Sequence, residues 1–415
     1  MSSPNIAAPA RIRRLELPEH SPLAGMSLRA GERQLEANAA RLGPLVDLTY
    51  ADTVRFPPPG WAIESFTAAA TRGGLTYTPY RGDAGVRARV AGNVARFLGM
   101  PVAAEGELIL TPGSQAALYV ALASLVERGD KVALVDPDYL TSHRMLRYFG
   151  AEVVSIPLWW ENAESATLDL DALESAFRSG VRLFLFSNPN NPTGTVHGPD
   201  TVARIAALAL QHGAFVVADE LYSRLVYDGR PFCHIASLDG MKERTVTLLG
   251  PSKTESMSGY RLGAAVAPAP ILQRMEDVQS VAALRAPAYA QHTLVHWLAD
   301  DRELVAERIG QYQALRDTAV RRFQRSEVLR VVPSGGTSYL FPKVVGVAAS
   351  DQEIALRLQN DAGVIINPGY QSGARGTGHF RICFAQEEQL FARKLDDIVG
   401  VLERMHAESR LARRA

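Results

Sequence analysis

The sequence predicts an α/β fold: a mostly parallel, seven-stranded sheet between layers of helix, joined to a smaller α+β unit. Three observations predict it. Short, continuously apolar runs recur between Leu108 and Leu249, the pattern of strands buried on both faces. Helically spaced segments separate most of these runs, the alternation that builds a parallel sheet. Beyond about residue 301 the order changes to a long helix followed by mixed strands and helices.

In chain order, a polar arm ends in a helical piece, Ala30 to Leu42, and a short strand, Val46 to Tyr50, follows. The cluster Phe56-Pro-Pro-Pro-Gly60 marks a boundary. A helix over Trp61 to Thr71 leads to the Gly73-Gly74 break. A second carries Val86, Val90, Val94 and Leu98 at i+4 spacing and stops at Met100-Pro101. The sheet strands are then Leu108–Leu110, Val132–Val135, Val153–Ile156, Leu183–Phe186, Phe215–Ala218 and Val246–Leu249. Helices are expected over Gln115–Arg128, Leu170–Arg178 and Thr201–Gln211, and an antiparallel strand within Tyr260–Ala267. Pro268 to about Asp300 reads as helical. The last part offers a helix (Arg302–Arg325), strands Val328–Val332 and Ser338–Phe341, a helix (Asp351–Asp361), strands Val364–Ile366 and Phe380–Phe384, and a terminal helix from Glu387. The chain thus divides into an N-terminal arm with part of a small domain (1–60), a large domain (61–300) and a small C-terminal domain (301–415).

Composition narrows the function. Lysine plus arginine equals aspartate plus glutamate at 44 each, so no basic excess marks a nucleic-acid or anionic-membrane partner. No apolar run reaches membrane-spanning length and the first twenty residues lack the apolar core of a signal peptide. Two cysteines, Cys233 and Cys383, are too few for a disulfide scaffold or a zinc site. A cytoplasmic protein without metal is expected.

Open parallel sheets bind ligands beyond the carboxyl ends of their strands, and the residues there form a coherent set. After the first strand, Thr111-Pro-Gly-Ser-Gln115 turns into a helix whose free N–H groups, with Gly113 and the Ser114 hydroxyl, suit an anion. A plain helix cap would look similar. After the second, Asp136-Pro-Asp-Tyr139 offers a ring that can stack on a planar ligand or pack in the core. Ser187-Asn-Pro-Asn-Asn-Pro-Thr-Gly194 is the most specific motif, its prolines and glycine fixing the backbone so that the Asn191 amide can point at a ring substituent. Asp219-Glu-Leu-Tyr222 places a carboxylate at a buried strand end, where it needs a cation. A protonated pyridine nitrogen would serve, with Tyr222 near the phenolic oxygen; a helix-capping carboxylate is the other reading of Asp219 alone. Finally, Gly250-Pro-Ser-Lys-Thr-Glu-Ser-Met-Ser-Gly-Tyr-Arg-Leu-Gly263 follows the last parallel strand. A sheltered Lys253 can lose its proton near neutral pH and attack a carbonyl, and Arg261 suits a phosphate. Together they suggest pyridoxal phosphate; a surface lysine beside a structural arginine is the equal reading of this stretch alone, and the five strand ends taken as a set favour the cofactor.

These motifs, in this order, resemble those of the class I/II aminotransferases, fold-type I pyridoxal-phosphate enzymes akin to aspartate aminotransferase. The likeness runs from about Val46 into the C-terminal helix. It implies that Lys253 is the Schiff-base lysine, that Asp219 partners the pyridine nitrogen, and that Asn191 and Tyr222 bind the phenolic oxygen. Tyr139 would stack on the ring, while Gly113, Ser114, Gln115, Ser252 and Arg261 would form the phosphate cup. Tyr77, in Tyr-Thr-Pro-Tyr-Arg-Gly82, matches the tyrosine that reaches the neighbouring subunit's phosphate, which implies a homodimer with shared sites. Near the C-terminus, Asn367-Pro-Gly-Tyr370 followed by Gly378-His-Phe-Arg-Ile-Cys383 resembles the family segment whose arginine, here Arg381, holds the substrate α-carboxylate.

Three positions depart from the family pattern. Gly250 stands where serine is common, which removes a hydroxyl from the cup. Thr49-Tyr-Ala-Asp52 lacks a glycine often found in the substrate loop. Glu255 stands where relatives often carry an aromatic or small residue, and is expected to cap a helix or face solvent. The implied reaction moves an α-amino group from an amino acid to a 2-oxo acid, with Lys253 shuttling the Cα proton. Elimination, decarboxylating or oxidative chemistry at the same cofactor, and a non-catalytic ligand-binding regulator, are the alternatives. Arg285 could read a distal group of the substrate from the partner subunit, or be a surface arginine.

Overall fold

The register of the central sheet determines where every candidate side chain ends up. In this computed structural model the described residues are 9–15, 45–74, 77–160, 167–299 and 301–413. The expected helix Ala30 to Leu42 lies outside them. The strands are β1 (Val46–Asp47), β2 (Leu108–Thr111), β3 (Lys131–Asp136), β4 (Glu152–Trp159), β5 (Thr167–Leu168), β6 (Leu183–Ser187), β7 (Phe215–Asp219), β8 (Thr245–Leu249) and β9 (Gly263–Val266). Strands β2 to β9 form one sheet in the order β2-β9-β8-β7-β6-β3-β4-β5. Neighbours from β8 through to β4 run parallel, whereas β9 is antiparallel to both β2 and β8. The expected seven strands are therefore present, extended by the two-residue edge strand β5, antiparallel to β4.

Alternation along each strand feeds two separate cores, as the two-residue period of a strand requires. From β3, Val132 and Leu134 pack with helix α3 (Ser114–Leu125) and helix α7 (Ala269–Ala282). Ala133 and Val135 pack instead with α5 (Leu170–Arg178) and α6 (Pro199–His212). Between α3 and α5 lies α4 (Leu140–Phe149), a helix the sequence pattern did not suggest. Two earlier helices, α1 (Gly60–Arg72) and α2 (Ala84–Leu98), cover the β2–β9 edge, Asp83 capping α2 through the Val86 amide.

The continuous helix expected from Pro268 to Asp300 does not form. Helix α7 stops at Ala282 because Leu284 adopts a left-handed conformation (φ 65°), and Pro287 follows three residues later. Short turns then lead to α8 (Arg302–Phe323). The rest comprises β10 (Leu329–Arg330), β11 (Tyr339–Leu340), β12 (Lys343–Val344), α9 (Asp351–Ala362), β13 (Val364–Ile365), β14 (Asn367–Pro368), β15 (Phe380–Cys383) and α10 (Glu388–Ala412). Ser350 and Glu353 form a capping box at α9. Strand β1 pairs in parallel with β13, so Leu48 and Phe56 join the C-terminal core. Among the described residues no helix is long and apolar enough to cross a membrane.

Candidate active site

Strand pairing brings the motifs to one edge. Ser187 of β6 is level with Asp219 of β7, which is level with Leu248 of β8; Thr111 of β2 faces Gly263 of β9. The turns that follow surround a cavity of about 310 Å³, within the range of small-molecule sites. Ser114, Gln115, Tyr139, Asn191, Asp219, Tyr222, Ser252, Lys253, Arg261 and Arg381 all line it. Tyr77 does not; it is 78% exposed on the chain's own surface.

At the anion end, α3 starts at Ser114: the Gly113 amide donates to the Thr111 carbonyl at 2.7 Å, intrahelical bonding begins at Ala116, and the Ser114 and Gln115 amides belong to the helix's free first turn. Gly113 (φ 97°) lets the Arg261 guanidinium lie against the turn: a Cβ there would sit 2.4 Å from one terminal nitrogen. A Cβ on Gly263 would meet the Ser114 amide nitrogen at 2.5 Å. The Ser114 hydroxyl donates to the Leu249 carbonyl at 3.1 Å. It also lies 2.4 Å from where a Cβ of residue 250 would stand, so Gly250 makes room for a hydroxyl already present. Arg261 donates to the Ser258 carbonyl at 2.9 Å, which fixes the cation at the mouth of the cup.

In the middle, Asp219 accepts from the Leu221 amide at 3.1 Å. Burial pushes its carboxyl up to about 6, Glu220 adding to the rise and Lys253 opposing it. Among the described residues it is the single carboxylate lining the cavity, which four basic side chains, Arg144, Lys253, Arg261 and Arg381, also line. The Tyr139 hydroxyl donates to Gln115 at 3.1 Å, standing the ring over the cavity. Below it Asp138, which sequence reasoning passed over, takes hydrogen bonds from the Ser187 amide and hydroxyl (both 3.0 Å) and from Asn190 (3.1 Å). This buried knot joins the turn after β3 to the turn after β6, and burial pushes the Asp138 carboxyl up to about 7.

At the far side Arg381 donates to Asn191 (2.8 Å), to Asn367 (2.5 Å) and to the Thr49 carbonyl (3.2 Å). Its guanidinium lies 4.0 Å from the centre of the Tyr339 ring, and its buried Nε has no partner among the described residues. Tyr222 donates to the Tyr339 hydroxyl at 3.0 Å, and burial holds its phenol well above the usual range. Tyr339, Asn367, Arg144 and Gln371 are further cavity residues that sequence reasoning missed. Asn367 had a signal in the Asn-Pro-Gly-Tyr motif; the others had none. The Thr49–Asp52 stretch, short of its glycine, serves the site through a backbone carbonyl.

Two expectations change. Glu255 neither caps a helix nor faces solvent: it is fully buried, ion-paired with Arg224, which also grips Asp301 with two contacts of 2.7 Å. Sequence gave no sign of Arg224, whose charge draws Glu255 inward. Arg285 stays outside its own chain's cavity and lies over the rings of Tyr77 (4.6 Å) and Tyr80 (4.9 Å).

The donor set fits pyridoxal phosphate. A glycine-lined anion cup with an arginine, a desolvated carboxylate in want of a cation, a flanking aromatic ring and a lysine match its phosphate, ring nitrogen, ring face and aldehyde in turn.

Comparison with known proteins agrees. The family model for aminotransferase class I and II matches residues 44–395. The chain is 31% identical over 343 residues to an aspartate aminotransferase of Musicola paradisiaca, covering 82% of this chain and 85% of the relative. It is 29% identical over 352 residues to aromatic-amino-acid aminotransferase 2 of Thermococcus litoralis, covering 84% and 89%. A crystal structure of an aspartate aminotransferase from Rhodobacter sphaeroides superposes with a TM-score of 0.85 at 40% identity, over 87% of this chain and 92% of that one.

Proposed function

We propose residue roles for this site on one premise: the chain belongs to the aminotransferase class I and II family and is a pyridoxal-phosphate-dependent aminotransferase. The observation that carries the assignment is the one cavity that Lys253 lines together with Arg261, Arg381 and, among the described residues, a single carboxylate, Asp219. Bound there, the cofactor supplies an aldehyde for amines and a ring that accepts electrons from Cα. Arg381 holds the α-carboxylate of the amino acid through a charge-assisted fork, its unpartnered Nε adding a donor. The Lys253 amine removes the proton from Cα and returns it on the other side of the transfer, as base and then acid. Asp219 would keep a proton on the ring nitrogen, and Asn191 and Tyr222 would hydrogen-bond the phenolic oxygen. Gly113, Ser114, Gln115, Ser252 and Arg261 take the phosphate, and Tyr139 covers the ring. The products are a 2-oxo acid and, in the second half, a new amino acid.

A cytoplasmic homodimer is part of the same reading. The largely exposed Tyr77, held beside Arg285, supports it as a residue offered to a neighbouring active site. Lys253→Ala should abolish amino transfer between any amino acid and 2-oxo acid. Borohydride reduction of the holoenzyme should add the cofactor's mass to the peptide containing Lys253 and to no other. Full turnover by Lys253→Ala would refute the assignment.

A further inference from the structure

Charge in the cavity does not balance once the proposed roles are filled. Arg261 answers the phosphate, Arg381 the α-carboxylate, and Lys253 is the reacting amine. Arg144 remains. It projects from α4, one helical turn beyond Leu140, and lines the same cavity together with Leu140, Thr141 and Gln371. A second hollow adjoins this end and also touches Arg144 and Gln371. Among the described residues Arg144 has no ion pair, and the titratable groups facing it are the neutral phenols of Tyr139 and Tyr370. The carboxylate that lines the adjoining hollow, Asp136, is engaged elsewhere, accepting from the Ser155 hydroxyl (3.0 Å) and the Arg375 amide (3.3 Å). Burial lowers the pKa of Arg144, yet a guanidinium stays charged in proteins. A half-buried cation without a counter-ion is costly, and a ligand that brings an anion to it removes that cost. Arg285, the other arginine considered for this task, is occupied by two aromatic rings outside the cavity.

We infer that Arg144 is a specificity-determining residue, which binds a second, distal carboxylate of the substrate and makes acidic amino acids and their 2-oxo acids the preferred pair. The inference rests on the transamination reading above and adds the substrate class. Geometry assigns Arg381 to the carboxylate common to all amino acids and Arg144 to the group that distinguishes them, with Gln371 beside it at the same end of the cavity.

Succinate and butyrate separate the two carboxylates, since they share a four-carbon chain and differ by one acidic group. Calorimetric titration of the holoenzyme should show succinate binding about 10- to 100-fold more tightly than butyrate, the span of a charge-assisted hydrogen bond. Arg144→Met should remove most of that difference, and Arg144→Lys should keep part of it. In steady state, Arg144→Met should lower kcat/KM for aspartate at least tenfold more than for alanine, through KM. Equal binding of the two acids by the wild type, or a difference that survives Arg144→Met, would overturn the inference and leave amino transfer standing. Failure of the transamination reading is distinct: the wild-type holoenzyme would transfer no amino group from any donor.

Discussion

Arg381 and Asn191 hold each other: a guanidinium nitrogen donates to the Asn191 side-chain carbonyl at 2.8 Å, 190 residues away in sequence. The fork proposed to take the substrate and the amide proposed to face the cofactor are therefore one unit. Asn191→Ala should leave Arg381 mispositioned and cost about 1.5–3 kcal/mol, or about 10- to 100-fold in kcat/KM. Steady-state kinetics with one donor at varied concentration would check this, with the loss expected in KM as well as kcat. A variant with wild-type KM would show that Asn367 and Thr49 suffice to orient the arginine.

Asp219 is a carboxyl whose folded pKa, about 6, lies above its ordinary 3.8. Such a group favours the folded state most at pH below its unfolded value, and this contribution is lost as pH rises through about 6. Cofactor-free Asp219→Asn should therefore be more stable than cofactor-free wild type at pH 8 and converge with it near pH 4. With cofactor bound the ranking should reverse, and kcat should fall about 100-fold or more. Denaturation at the two pH values and turnover of the holoenzyme test both halves.

Glu255, Arg224 and Asp301 place one cation between two fully buried carboxylates. Burial pushes Glu255 up to about 7, and its Oε2 has no partner among the described residues. The sign is again that of a raised carboxyl: stability is lost as pH climbs through 7. Glu255→Gln should thus stabilise the protein at pH 8 and make little difference at pH 4.5. Arg224→Met should instead destabilise by about 3–5 kcal/mol, since two buried acids lose their cation. Urea titrations of the three proteins would decide.

A carbon added at Gly263 meets backbone, and one added at Gly250 meets the Ser114 hydroxyl. Gly263→Ala would set a methyl group against the Ser114 and Gly113 backbone, and Gly250→Ser would collide with the Ser114 hydroxyl. Overpacking of this kind costs about 1–3 kcal/mol. Each change should weaken cofactor binding about tenfold or more, read from loss of the bound chromophore on dialysis. A Gly250→Ser protein that retained cofactor better than wild type would show that Ser114 can move aside.

Much of this was legible in the chain because strand ends carry their own punctuation. The apolar runs at Leu183–Ser187 and Phe215–Asp219 announced buried parallel strands, and the polar motif after each announced a ligand edge. What stayed hidden depends on contacts between distant segments. Nothing near Glu255 reveals that Arg224 and Asp301 wait for it, and Tyr339 gives no sign that it lies under Arg381. The break after Ala282 was missed because left-handed Leu284 has no sequence mark. Helix α4 was missed although Tyr139, just before it, was singled out; Arg144 went with it.

The antiparallel pairing of β2 with β9, Thr111 opposite Gly263, has a consequence for how the protein matures. The loop proposed to take the phosphate is contributed early in the chain, but the strand that packs beneath it, against Gly113 and Ser114, comes only with Gly263. A ribosome-bound fragment ending before Gly263 carries Lys253 and Arg261 without that support, so uptake of the cofactor should report completion of the sheet during biosynthesis.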